Sequence, residues 1–157
     1  MYEYRCKVNR VIDGDTVDVD IDLGFGVWMM DERVRVMGID TPESRTSDKV
    51  EDLFGEAAKA RVKELLQAGD YTILKTEVNK DGEDMKGKFG RILGDFIIEG
   101  EEDRMLTDVL IEEGHAVAYF GGSKEEIQIK HVANRKKLLR EGVVDQEAYD
   151  KLTVDGE

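Results

Sequence analysis

Three short stretches of this chain gather residue types that can act on a phosphate or hold a cation. The first, Ile12-Asp13-Gly14-Asp15-Thr16, sets a carboxylate on either side of a glycine where the backbone turns tightly. Carboxylates placed that way can offer hard oxygen ligands to a metal ion. The same residues also read as a plain Asp-Gly turn. The second is Arg35 followed by Asp40-Thr41-Pro42-Glu43. A strand can deliver the guanidinium from one row and, at its end, a carboxylate, a backbone carbonyl and another carboxylate. Pro42 restricts the backbone there, so Asp40 and Glu43 need not point the same way. The ordinary reading is a strand end with a solvated turn and a surface ion pair. The third is Lys88-Phe89-Gly90-Arg91. Glycine beside arginine lets a phosphate approach the backbone while the guanidinium grips it with two parallel hydrogen bonds. A hairpin end with an exposed arginine explains it equally well. Taken singly, none of the three outweighs its ordinary reading.

The elements that must carry these stretches follow from periodicity. Residues 2–12 read as a strand. From Thr16, Val17, Val19 and Ile21 alternate with Asp18, Asp20 and Asp22, the period of two expected of a half-buried strand. Gly24 and Gly26 bracket a turn, and a third strand runs through Val34 and Val36 to Ile39, stopped by Pro42. Val50, Leu53, Phe54, Ala57, Ala58, Val62, Leu65 and Leu66 then recur at helical spacing, with Gly69 as terminator. Tyr71 to Val78 and Arg91 to Ile98 read as two further strands. Met105, Leu106, Val109 and Leu110 form a short amphipathic helix closed by Gly114, and Ser123-Lys124-Glu125-Glu126 opens a long helix ending before Gly142. The order is three strands, helix, two strands, two helices. It predicts an α+β fold: a five-stranded OB-type β-barrel with a helix inserted between strands three and four and two C-terminal helices. Other α+β arrangements also satisfy the pattern. The expected organisation is one domain over residues 1–142 and an acidic C-terminal tail over 143–157, in which no element is legible.

With 157 residues, the chain is long enough for one compact domain with a real core. Its net charge of −13 argues against a protein that coats DNA passively by neutralising phosphates. It leaves room for an enzyme that bridges acidic side chains to phosphate through a divalent cation. Lys86, Lys88 and Arg91 lie together. Lys130, Arg135, Lys136, Lys137 and Arg140 read as a basic solvated face. The single cysteine, Cys6, reads as core, and His115 and His131 as surface or cap residues. No apolar run approaches the ~18 residues of a membrane span, and Met1-Tyr2-Glu3-Tyr4-Arg5 leads straight into strand-like sequence without an apolar leader. The expectation is a cytoplasmic protein with no membrane partner.

The three stretches occur in a fixed order, IDGDT, then R-x4-DTPE, then KFGR, with a GEAAKA helix segment between the last two. That ordered combination resembles the staphylococcal nuclease family, from about Val8 to Tyr119. The resemblance implies a calcium-dependent phosphodiesterase cutting DNA, RNA or both, leaving 3′-phosphates and working as a monomer. It implies Asp15, Asp40 and the Thr41 carbonyl as Ca2+ ligands, with Asp13 as an outer carboxylate. Arg35 and Arg91 match the phosphate-binding pair, and Glu43 the residue that orients or deprotonates the attacking water. Lys88 and Phe89 would border the nucleotide, Phe89 standing where the family often has tyrosine. Tyr119, after Gly114-His115-Ala116-Val117-Ala118, matches a base or phosphate contact more loosely. The competing reading is a catalytically weak or inactive OB-fold module that binds nucleic acid or protein. Retention of Arg35, Asp40, Glu43 and Arg91 favours the enzyme. Glu77-Val78-Asn79-Lys80-Asp81-Gly82 imitates a calcium loop of helix-loop-helix type, but its twelfth position is Lys88 and strands flank it, so it reads as a hairpin turn. The Phe25, Val27, Trp28, Met29 and Met30 stretch reads as barrel packing or a long hairpin, an exposed part of which can meet a partner.

Overall fold

In the computed structural model, which describes residues 2–77 and 91–155, the period-two stretches are strands and the stretches of three- and four-residue spacing are helices. The strands are β1 (Tyr2–Asp13), β2 (Thr16–Asp22), β3 (Trp28–Val36), β4 (Ile39–Asp40), β5 (Tyr71–Thr76), β6 (Ile92–Ile98), β7 (Arg104–Met105) and β8 (Val117–Ala118). The helices are α1 (Lys49–Leu65), α2 (Leu106–Glu113), α3 (Lys124–Arg140) and α4 (Gln146–Asp155). Lys86, Lys88, Phe89 and all of the 77–82 connection except Glu77 lie outside the described residues.

β3, β2, β1, β5 and β6 lie side by side as antiparallel neighbours, and β6 returns to pair in parallel with β3, Val34 opposite Ile92 and Arg35 opposite Leu93. These five strands form a closed ring, which removes exposed hydrogen-bonding edges from short strands. The α+β class is the one the sequence predicts, with α1 following the third ring strand. Cys6, Val8, Val17, Val19, Val34, Val36, Leu74 and Phe96 are buried in one cluster with Val62 of α1 and Leu106 and Leu110 of α2. Each such aliphatic side chain contributes roughly 1.5–3 kcal/mol by leaving water. Burial pushes the Cys6 thiol up to about 12, so it stays protonated and inert, a core residue as read.

The structure departs from the sequence reading in three places. β2 is covered on both faces: Asp18 and Asp20 are buried as well as the valines. Arg33 reaches Asp18 with Nε at 2.8 Å and Nη2 at 3.1 Å, and Arg10 Nη2 lies 3.0 Å from the same carboxylate. The apolar stems of these arginines roof the aspartate row, which period alone does not reveal. Next, the third strand does not run unbroken to Ile39. Gly38, at φ +80°, breaks it and starts β4. Third, the stretch after Gly142, read as a tail, carries α4. Val144 and Tyr149 close over Phe54 and Leu138, and the Phe54 and Tyr149 rings meet edge-on at 6.0 Å between centroids. Its few apolar residues find a surface only after α1 and α3 have assembled. Of the two readings of the Phe25 to Met30 stretch, the hairpin holds: Phe25 is fully exposed, while Met29 packs against the core.

Candidate active site

Two of the three stretches meet because α1 offers them a face with almost no side chain. A Cβ on Gly55 would lie 2.3 Å from the Glu43 carbonyl oxygen and 2.7 Å from the Ser44 nitrogen, far inside contact distance. One turn on, a Cβ on Gly14 would lie 3.0 Å from the Ala58 Cβ and 3.5 Å from the Thr41 Cβ. Small residues in the GEAAKA segment therefore seat both the Asp13-Gly14-Asp15 turn and the 41–44 segment. Asp48 starts the helix by accepting the Val50 and Glu51 N–H groups, each at 3.1 Å. Asp13, expected as an outer carboxylate, accepts a hydrogen bond from the Ser44 hydroxyl, which is buried. It ties the first stretch to the segment bearing Glu43.

Arg35 joins the remaining pieces. It lies opposite Thr16 in the β2–β3 ladder, and the Val36 N–H donates to the Asp15 carbonyl at 2.8 Å. Its guanidinium donates to the Val36 carbonyl and, through Nη2, to the Ile39 carbonyl at 3.2 Å, and Nη2 lies 3.4 Å from Asp15 Oδ2. One planar cation thus links the Asp15 carboxylate to the backbone immediately before Asp40. Arg91 enters β6 two residues before Leu93, the register partner of Arg35. Strand alternation places Arg35 and Leu93 on the outer face of the β3–β6 seam, and Arg91 stands one residue before β6. Glu43 is exposed, Thr41 buried and Tyr119 part-exposed, its N–H donating to the Gly38 carbonyl at 2.9 Å. Tyr119 and Phe120 line a cavity of about 730 Å3 together with Gly38, Asp95 and Ile111.

Asp40 is held by a residue read otherwise from the sequence. His131, expected at the surface, is buried, and its Nε2 lies 2.6 Å from Asp40 Oδ2. The correction has a simple cause: one face of the strongly charged helix α3 is docked against β8. His115 does follow the Gly114 cap as expected, its N–H donating to the Leu110 carbonyl at 2.9 Å. It too is buried, and burial pushes its imidazole pKa down. Local sequence does not mark Ser44 or His131 as site residues, because their partners lie 31 and 91 residues away.

The donor chemistry at Asp15, Asp40 and the Thr41 carbonyl is all oxygen. Among the described residues no group of three or more His, Cys, Asp or Glu gathers as a metal cage. Two carboxylates and a carbonyl could hold a hard, oxygen-preferring cation such as calcium or magnesium rather than zinc. Arg33 and Arg10 both pair with Asp18, Arg10 also with Asp31, and the hydrogen bonds that Arg33 donates to Asp18 push its pKa up.

The fold and site define an α+β domain in which a closed five-strand ring carries carboxylates and arginines at one end. The chain belongs to the family described as staphylococcal nuclease homologue, whose model matches residues 33–147. It is 35% identical over 122 residues to a thermonuclease of Staphylococcus intermedius, covering 78% of this chain and 64% of that protein. It is 32% identical over 116 residues to endonuclease YncB of Bacillus subtilis (strain 168), covering 73% of this chain and 48% of that one. Against the SPbeta prophage-derived endonuclease YokF of the same organism it is 32% identical over 113 residues, 71% of this chain and 33% of that protein. The chain therefore spans a half or less of the length of the two Bacillus endonucleases. No helix among the described residues is long and apolar enough to cross a membrane.

Proposed function

We propose that this chain is a calcium-dependent nuclease that hydrolyses phosphodiester bonds of DNA, RNA or both, works as a monomer and leaves 3′-phosphates. The observation that carries the reading is Arg35, whose guanidinium spans Asp15 and the backbone entering Asp40. Asp15, Asp40 and the Thr41 carbonyl would hold the cation, which when bound would supply positive charge to offset that of the phosphate. The other tasks fall to side chains. Arg35 and Arg91 bind the phosphate from neighbouring strands and stabilise negative charge as it grows during in-line attack. Five N–H donors on Arg35 leave some for substrate after the two backbone carbonyls are served. Glu43, exposed, orients or deprotonates the attacking water. Asp13 keeps the Glu43 segment in place through Ser44. Lys88, Phe89 and Tyr119 border the nucleotide.

The nuclease relatives support the reading at the level of reaction class. The test is incubation of single- and double-stranded DNA and RNA with calcium, magnesium or a chelator, with end-group analysis of the products. Thermal unfolding is followed with and without calcium. Cleavage confined to the calcium samples is expected, with a stabilisation of about 2.7 kcal/mol at a hundredfold excess over Kd. Tight binding of nucleic acid without cleavage under any condition would assign the chain instead to the non-catalytic binding modules.

A further inference from the structure

We infer that His131 is a positioning residue for Asp40, so that helix α3 aims one of the metal-binding carboxylates. The inference rests on the nuclease reading of Asp40 and adds a residue to it. Asp40 closes β4, a strand of two residues whose ladder partner is the equally short β8, Asp40 opposite Val117. So brief a ladder gives the side chain little support, and the terminal torsion of an aspartate has a broad, shallow profile. The His131 side chain is 8% exposed while that of Asp40 is 44% exposed. A buried, packed imidazole therefore grips a carboxylate that otherwise stands half in solvent. The contact is at Oδ2, 2.6 Å from Nε2. Holding one oxygen selects the rotation of the whole carboxylate and reserves Oδ1 for the cation. Asn134, one turn further along α3, donates to the Ala116 carbonyl at 3.4 Å beside β8. It helps dock the same helix without touching Asp40, and so separates docking from aiming.

Outer partners of metal-binding carboxylates typically carry about 10- to 100-fold in metal affinity or activity. The experiment measures calcium affinity by calorimetry on substrate-free protein, thermal unfolding of calcium-free protein, and kcat on single-stranded DNA. The proteins are the wild type, His131→Ala, His131→Gln and Asn134→Ala. His131→Ala is expected to weaken calcium binding about 10- to 100-fold. His131→Gln, which keeps an N–H donor on a side chain of similar reach, should recover most of it. Asn134→Ala should lower the unfolding temperature and leave calcium affinity unchanged. Unchanged calcium affinity in His131→Ala overturns the inference, and so does an equal loss in Asn134→Ala, which reduces His131 to helix docking. Should His131→Ala fail to fold, His131→Leu, which fills similar space without an N–H donor, decides: a loss of calcium affinity of about 10- to 100-fold supports the inference, and wild-type affinity overturns it. Wild-type protein that binds no calcium overturns the metal reading itself, a failure distinct from any in the variants.

Discussion

Gly55→Ala puts the packing under the site to a test in which two effects of opposite sign compete. In the interior of an isolated helix, alanine is favoured over glycine by about 0.8–1.0 kcal/mol. Gly55 lies inside α1, so propensity alone predicts a more stable protein. The structure predicts the reverse. The new methyl carbon would sit 2.3 Å from the Glu43 carbonyl oxygen, and relief to even a 3.0 Å contact moves that oxygen, or the helix, by about 0.7 Å. The obstructing atoms are backbone, which cannot rotate aside as a side chain can. Overpacking of this kind costs about 1–3 kcal/mol. With a backbone obstacle, the upper half of that range applies, giving a net loss of about 1–2 kcal/mol after the propensity gain. The displaced segment carries Glu43, and a shift approaching 1 Å in a catalytic group can cost on the order of 100-fold in rate. We expect urea unfolding to show the stability loss, and kcat to fall at least roughly tenfold with the KM for DNA little changed. A variant that is more stable than wild type and cuts at the wild-type rate would refute the close packing of α1 beneath Glu43.

Two further outcomes follow from the same geometry. Arg35→Lys and Arg91→Lys keep the charge but lose the planar fork, so kcat should drop about 100- to 1,000-fold in each. Arg35→Lys should also cost about 1–3 kcal/mol of stability, because its guanidinium bridges Asp15 to β4, a loss readable by urea unfolding; near-normal kcat in either variant removes that arginine from the mechanism. Asp20 accepts hydrogen bonds from Asn9 at 2.8 Å and from the Asp31 N–H at 2.7 Å, and these hold its carboxyl below the ordinary aspartate value. The stability it adds is therefore present above about pH 3.9 and is lost as pH falls through its lower folded-state value. Urea unfolding of Asp20→Asn should show a deficit against wild type that is full at neutral pH and shrinks towards pH 2; a deficit independent of pH would contradict the assignment.

The sequence by itself determined the order of the five ring strands and of α1, α2 and α3, most of the glycine and proline breaks, and the ordered set of site motifs. These are local properties: a period of two or of about 3.6, a cap such as Ser123, and short motifs whose residues lie close together in the chain. What only the tertiary structure decided lies between segments distant in sequence. Asp18 and Asp20 look solvated by period, but both are buried, Asp18 paired with Arg10 and Arg33 and Asp20 hydrogen-bonded by Asn9 and the Asp31 N–H. Gly55 looks like a weak point in a helix until the Glu43 backbone is set against it. The residues after Gly142 look like a solvated tail because their apolar residues are few, and α4 finds its surface on Phe54 and Leu138. His131 stands among lysines and arginines and reads as part of a charged face. Its partner Asp40 is 91 residues earlier, and no local period encodes a contact that arises when α3 docks beside β4 and β8. Contacts of that kind depend on how whole elements pack, so they come into view only once the ring has closed and the helices have taken their places around it.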